Sequence, residues 1–118
     1  MNIIIKTKNI ELTDSLEKFI QQKIGKLEKF SKILGKDSLE MFVEIEKETN
    51  HHRKGEIFFA EAILVMPGKK LVARAKSDDL GKAVSEVKEE LEIEIKKYKL
   101  KAIELPRRQA KKSRKEIF

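Results

Sequence analysis

The chain of 118 residues has no cysteine, no tryptophan, two prolines and two histidines. Without cysteine there are no disulfides, no thiolate zinc sites and no thiol nucleophiles, a usage that suits a cytosolic protein. The two histidines, His51 and His52, are neighbours in a polar stretch, and neighbours alone cannot supply the three or four ligands of a metal site. Gly-rich phosphate loops, nucleophile elbows and helical zinc motifs are all missing. The acidic pairs Asp78-Asp79 and Glu89-Glu90 have ordinary places at a helix start and on a solvated helix face. The expectation is a protein that is not an enzyme and takes no metal, cofactor or small-molecule substrate. The longest apolar run, Ala62–Pro67, is far short of a bilayer span. The N-terminal MNIIIKTKN lacks the order of a signal peptide and reads as mature sequence.

What the chain does have is charge, unevenly placed. Charged residues make up 40% of it, and the formal net charge is +7. Residues 96–118 contain ten Lys and Arg against two Glu, a balance of +8, whereas residues 1–95 balance at −1. A neutral body with a cationic end favours a polyanionic partner over a small molecule.

The pattern of apolar residues gives the elements. Asn2–Lys8, with Ile3-Ile4-Ile5, reads as a strand. Thr13-Asp14 reads as a helix N-cap followed by an acid. Leu16, Phe19, Ile20, Ile24, Leu27 and Phe30 then recur at spacings of three and four, predicting a helix of about five turns. Gly25 inside it costs roughly 1 kcal/mol relative to alanine, which a close contact would explain. Ser31–Ser38 reads as a loop. Leu39–Lys47 alternates as a half-buried strand, its polar side interrupted by Phe42. Beyond the polar stretch Glu48–Gly55, Ile57–Met66 and Lys69–Lys76 form two strands joined at Pro67-Gly68, the pair expected of a type II turn. Ser77 is expected to cap a second helix with Asp78 and Asp79 in its first turn. Its apolar stripe is Leu80, Val84, Val87, Leu91, Ile95 and Tyr98; Ile93 falls off that face. Pro106 should end any continuation, and the remainder reads as a flexible tail.

The order β-α-β-β-β-α implies a first parallel strand pair, then an antiparallel meander. Each helix has one apolar stripe, so both should pack on one face of a four-stranded mixed sheet, an α+β sandwich. The opposite face should be solvated and carry Glu40, Glu44, Glu46, Arg74 and Lys76. The domain is expected over residues 1–101, with a basic tail over 102–118.

Lys96, Lys97, Lys99 and Lys101 cover most azimuths of the second helix's end, so some face any docked polyanion; binding there should weaken steeply with salt. Lys23, Lys26 and Lys29 add charge along the first helix, and Arg74 and Lys76 lie on the outer face of the last strand. A basic helix can also dock on anionic lipid, but here the apolar stripe is needed by the core, and no membrane association is expected.

GKLEKF at Gly25–Phe30, His52-Arg53, FAEAILVMPG at Phe59–Gly68, LVARAKSDDLGKAV at Leu71–Val84, then Lys88 and KKYK together resemble the ribosome hibernation-promoting factors. These are also called ribosome-associated inhibitors or sigma-54 modulation proteins. The match covers about residues 1–101. It implies a fold similar to double-stranded-RNA-binding domains, held in the small ribosomal subunit's channel between head and body. There it would cover the messenger and transfer-RNA sites against ribosomal RNA and stall translation in starved cells. Carried over by position, it implies RNA contacts at Lys23, Lys26, Lys29, Arg53, Lys76, Lys88, Lys96, Lys97 and Lys99. Gly81 stands where the family often has an aromatic. The seventeen residues after Lys101 leave no room for the second, dimerising domain of long members, so a short form is implied, monomeric off the ribosome. Two other readings stay open: a general structured-RNA-binding module, for instance in ribosome assembly, and a transcription-regulatory interaction protein.

Overall fold

Alternation along the strands decides which way the sheet faces. The computed structural model describes residues 1–48 and 55–105. Its strands are β1 (Asn2–Lys8), β2 (Glu40–Glu48), β3 (Ile57–Met66) and β4 (Lys69–Ser77), in the order β1-β2-β3-β4. β1 pairs parallel with β2, and the other two pairs are antiparallel, as the connection lengths require. Successive side chains point to opposite faces of a strand. Ile3, Met41, Val43, Ile45, Ala62, Leu64, Leu71 and Ala73 therefore share one buried face. At the β3–β4 turn Gly68 has φ +70, the conformation that glycine adopts without steric cost.

Both helices cover that buried face. The first, α1 (Asp14–Gly25), starts where Thr13 accepts a hydrogen bond from the Leu16 N–H at 3.1 Å. The expected five-turn α-helix is shorter than the apolar period suggests. After Gly25 the backbone tightens into a 3₁₀ segment, Lys26–Phe30. Three residues per turn places Leu27 and Phe30 on the same side, and both are buried in the core. The Glu28 carboxylate of this segment accepts from the Leu39 N–H at 3.2 Å, tying the tightened turn to the start of β2.

The second helix, α2 (Leu80–Lys99), is capped by Asp79 rather than Ser77. Ser77 is the last residue of β4, paired with Phe58. Its hydroxyl accepts from the Asp79 N–H at 3.2 Å, and the Asp79 carboxylate accepts from the Lys82 N–H at 3.1 Å. Asp79 thus has the extended backbone of an N-cap, and neither Asp78 nor Asp79 lies in the first helical turn, contrary to expectation. Ala83, Val84, Val87, Leu91 and Ile95 are buried, while Ile93 is 46% exposed, off the stripe as its spacing requires. The helical backbone runs on as a π turn over Leu100–Glu104, past the expected domain end at Lys101.

Gly25 has an ordinary helical φ of −58, and a Cβ built there meets nothing within 4 Å. No close contact requires it. Gly25→Ala should stabilise the domain by about 0.5–1 kcal/mol. A thermal melt should show the midpoint rising by several degrees, and a fall would contradict this reading of the turn.

Candidate nucleic-acid interface

Because both helices lie on one face of the sheet, the cations on their outward sides share one side of the domain. Three of them converge on Glu92. The Lys88 ammonium donates to its carboxylate at 3.1 Å, Lys29 approaches at 3.4 Å and Lys96 at 3.8 Å. Lys88, Glu92 and Lys96 follow at the i, i+4 spacing that stacks side chains along a helix. Lys29 crosses over from the 3₁₀ segment. The hydrogen bond from Lys88, followed by that from Lys29, holds the Glu92 carboxyl below the ordinary carboxylate range, against an opposing effect of partial burial. One carboxylate therefore orders three ammonium groups and leaves the cluster net positive, an arrangement suited to phosphate.

A second cationic group forms where α2 ends beside the β3–β4 turn. Lys69 Nζ lies 5.3 Å from the Tyr98 ring centroid, in cation–π range. Lys97 and Lys101 line the same concavity with Glu94, whose carboxylate is 3.6 Å from Lys97. Lys69 was not among the residues expected at the site. Its position just after Pro67-Gly68 could have pointed to it only if the turn had been known to reach the end of α2.

The remaining expected residues divide by position. Lys23 lines the groove between the helices, with its Nζ 6.0 Å from the Phe19 ring centroid. The Cζ of that same ring is 3.7 Å from where a Cβ of Gly81 would be. An aromatic ring thus occupies this corner, but it comes from α1. Lys26 is exposed on the 3₁₀ segment, and Lys99 lies three residues beyond Lys96 on α2. Arg74 and Lys76 are on the other side of the domain, on the open face of the sheet. Arg74 is ion-paired to Glu61, and Lys76 lies 5.5 Å from the Phe59 ring centroid. The structure does not bring these two together with the helix lysines. Arg53, with His51 and His52, lies outside the described residues, as does the segment 106–118.

Among the described residues no group of three or more His, Cys, Asp or Glu could hold a metal ion, and no helix is long and apolar enough to cross a membrane. The arrangement holds charge in place.

Fold and surface define a small α+β domain with lysines gathered on its helix side. The chain belongs to the family described as Sigma 54 modulation protein / S30EA ribosomal protein, whose pattern matches residues 3–103. It is 31% identical over 107 residues to the ribosome hibernation promotion factor of Lactococcus lactis subsp. cremoris (strain MG1363), a match covering 87% of this chain and 52% of that protein. The chain thus spans about half the length of that relative. The fold is shared with the N-terminal domain of Thermus thermophilus Protein Y, at TM-score 0.65 and 21% identity over 83% of this chain and 99% of that one. A ribosomal subunit interface protein from Coxiella burnetii gives TM-score 0.63 and 21% identity over 86% of this chain and 100% of that one.

A carboxyl group whose folded-state pKa is depressed stabilises the fold above its unfolded pKa, and that contribution is lost as pH falls through the folded value. Glu92→Gln should therefore melt below the parent at neutral pH, with the gap closing in acid below the ordinary glutamate range. A gap that widens in acid would contradict the cluster's role.

Proposed function

We propose that the chain is a ribosome hibernation factor that enters the small-subunit channel, docks on ribosomal RNA through its helix side and blocks the messenger and transfer-RNA sites under stress. The observation that carries this reading is the convergence of Lys29, Lys88 and Lys96, from two separate elements, on one side of the domain. Family membership and the name of the Lactococcus relative support it.

The mechanism is occupation without chemistry. Lys88, Lys96, Lys97 and Lys99 along α2 and Lys101 just past it, with Lys23 on α1 and Lys26 and Lys29 on the 3₁₀ segment, neutralise phosphates and release their counterions, so affinity falls as salt rises. Lysine–phosphate contacts fix position and carry no base sequence. Selectivity for one channel then rests on the match between a rigid two-helix surface and the groove it fills. Arg53 belongs to the same reading by the family resemblance alone. Arg74 and Lys76 would meet RNA only where it wraps past the β4 edge. No cofactor enters, and the free protein is read as a monomer in the cytoplasm. A second reading, a general structured-RNA-binding module acting in subunit assembly, is favoured by the same feature, since lysines ordered by a carboxylate suit any ordered phosphate backbone.

Co-sedimentation with ribosomes across a salt series tests the proposal. The chain should travel with the small subunit at low salt, leave it as salt rises, and be displaced by messenger or initiator transfer RNA. Absence from the small-subunit fraction at every salt concentration would overturn it, and binding without such competition would favour the assembly reading. Reversing charge at Lys96, Lys97 and Lys99 together should weaken ribosome binding at least about tenfold, given the steep dependence on phosphate contacts, while leaving the melting midpoint close to the parent's.

A further inference from the structure

The open face of the sheet is not the uniformly solvated surface that alternation alone suggests. In register across the four strands lie Ile4, Phe42, Ile63 and Val72. Ile4 and Val72 are 40% exposed and Phe42 39%. This apolar band crosses the whole width of the sheet and is not covered by any element among the described residues. Next to it runs the outward side of β2, where Glu40, Glu44 and Glu48 have no ion-pair partner among the described residues. Glu44 also stands directly opposite Glu61, the two flanked by Lys6 on β1 and by Arg74, which is ion-paired to Glu61, on β4. A band of this kind, with the glutamates of β2 beside it, fits a chain segment that is cationic and partly apolar.

We propose that this face is the docking site of the chain's own segment 106–118, held there in the free protein. The segment has that chemistry: Arg107, Arg108, Lys111, Lys112, Arg114 and Lys115 against Glu116, ending in Ile117-Phe118. The segment follows the helical extension of α2, which runs to Leu105, seven residues past Tyr98. Tyr98 of α2 lies against Lys69 at the start of β4, and β4 is the edge strand from which Val72 faces the open side. Thirteen residues extend up to about 43 Å, whereas four strands about 4.8 Å apart span only about 14 Å. The reach covers the path round the β4 edge and across the band. Lys6, Lys8, Arg74 and Lys76 bound the face on its outer strands, so the cations of the segment are drawn to the central β2 column. The contact needs no ribosome. In one respect it rests on the RNA-docking reading: RNA phosphates and these glutamates compete for the same six cations, so the segment is withheld until RNA is present.

The absence of cysteine makes the test direct. A spin label on the full-length Ser113→Cys variant should erase the methyl signals of Ile4, Ile63 and Val72 at low salt while sparing Ile93 on the helix side. The three signals should return when salt is raised, when Glu44→Lys is added, and when polyuridylate is added. Uniform weak broadening, or loss confined to the helix side, would overturn the proposal, as would broadening that survives Glu44→Lys. The same loss in a mixture of spin-labelled chain and separately isotope-labelled, spin-free chain would assign the face to a second copy's segment and overturn docking within one chain. Signals that stay broadened with polyuridylate, yet return with salt and with Glu44→Lys, would overturn the competition alone.

Discussion

One-sided burial of the sheet is the constraint on which the rest depends. Met41, Val43 and Ile45 on β2, with Ala62 and Leu64 on β3, bury one face, while Glu40, Glu44 and Glu61 keep the other wet. Removing apolar area from water contributes about 25 cal/mol per Å², so two amphipathic helices have only one face to cover. Their packing side by side follows, and with it the side of the domain on which their outward lysines lie. The cationic surface is thus a consequence of where the core is.

Within that surface Glu92 has a part that a tally of charge would miss. Ammonium groups on three side chains repel one another, and a shared carboxylate offsets the repulsion while holding them near each other. A partly exposed ion-pair network of this kind contributes modestly to stability. Its larger effect is to reduce the conformational freedom that long lysine side chains would otherwise lose on meeting a partner. The group around Tyr98 extends the cationic surface from the end of α2 to the β3–β4 turn.

Much of this was legible in the residues. Alternation interrupted at Phe42 located β2, Pro67-Gly68 located the turn between β3 and β4, and the stripe Leu80–Tyr98 located α2 with Ile93 correctly outside it. The misses have physical causes. Ser77 and Asp79 are both competent caps, and only the pairing of Ser77 with Phe58 decides for Asp79. Leu27 and Phe30 fit an α-helix and a 3₁₀ turn about equally well from their spacing, and the bond from the Leu39 N–H to Glu28 is invisible along the chain. Lys69 reaches the cationic side through a tertiary contact with Tyr98 that no local pattern encodes. The apolar band was half visible: Phe42 stood out on a polar side, but its alignment with Ile4, Ile63 and Val72 needs the register of all four strands. The domain's two faces therefore differ in kind, one ordered cation and one acid-bordered apolar band.

The central claim is that RNA meets the helix side and leaves the open face of the sheet turned away. Lysine acetylation of the protein, free and bound to the small subunit, followed by mass spectrometry of each lysine, tests it most directly. The account predicts that Lys29, Lys88 and Lys96 become protected on binding while Lys6 and Lys8, on β1 of the open face, stay at least as reactive as in the free protein. Protection of Lys6 and Lys8 with Lys29, Lys88 and Lys96 still reactive would contradict it.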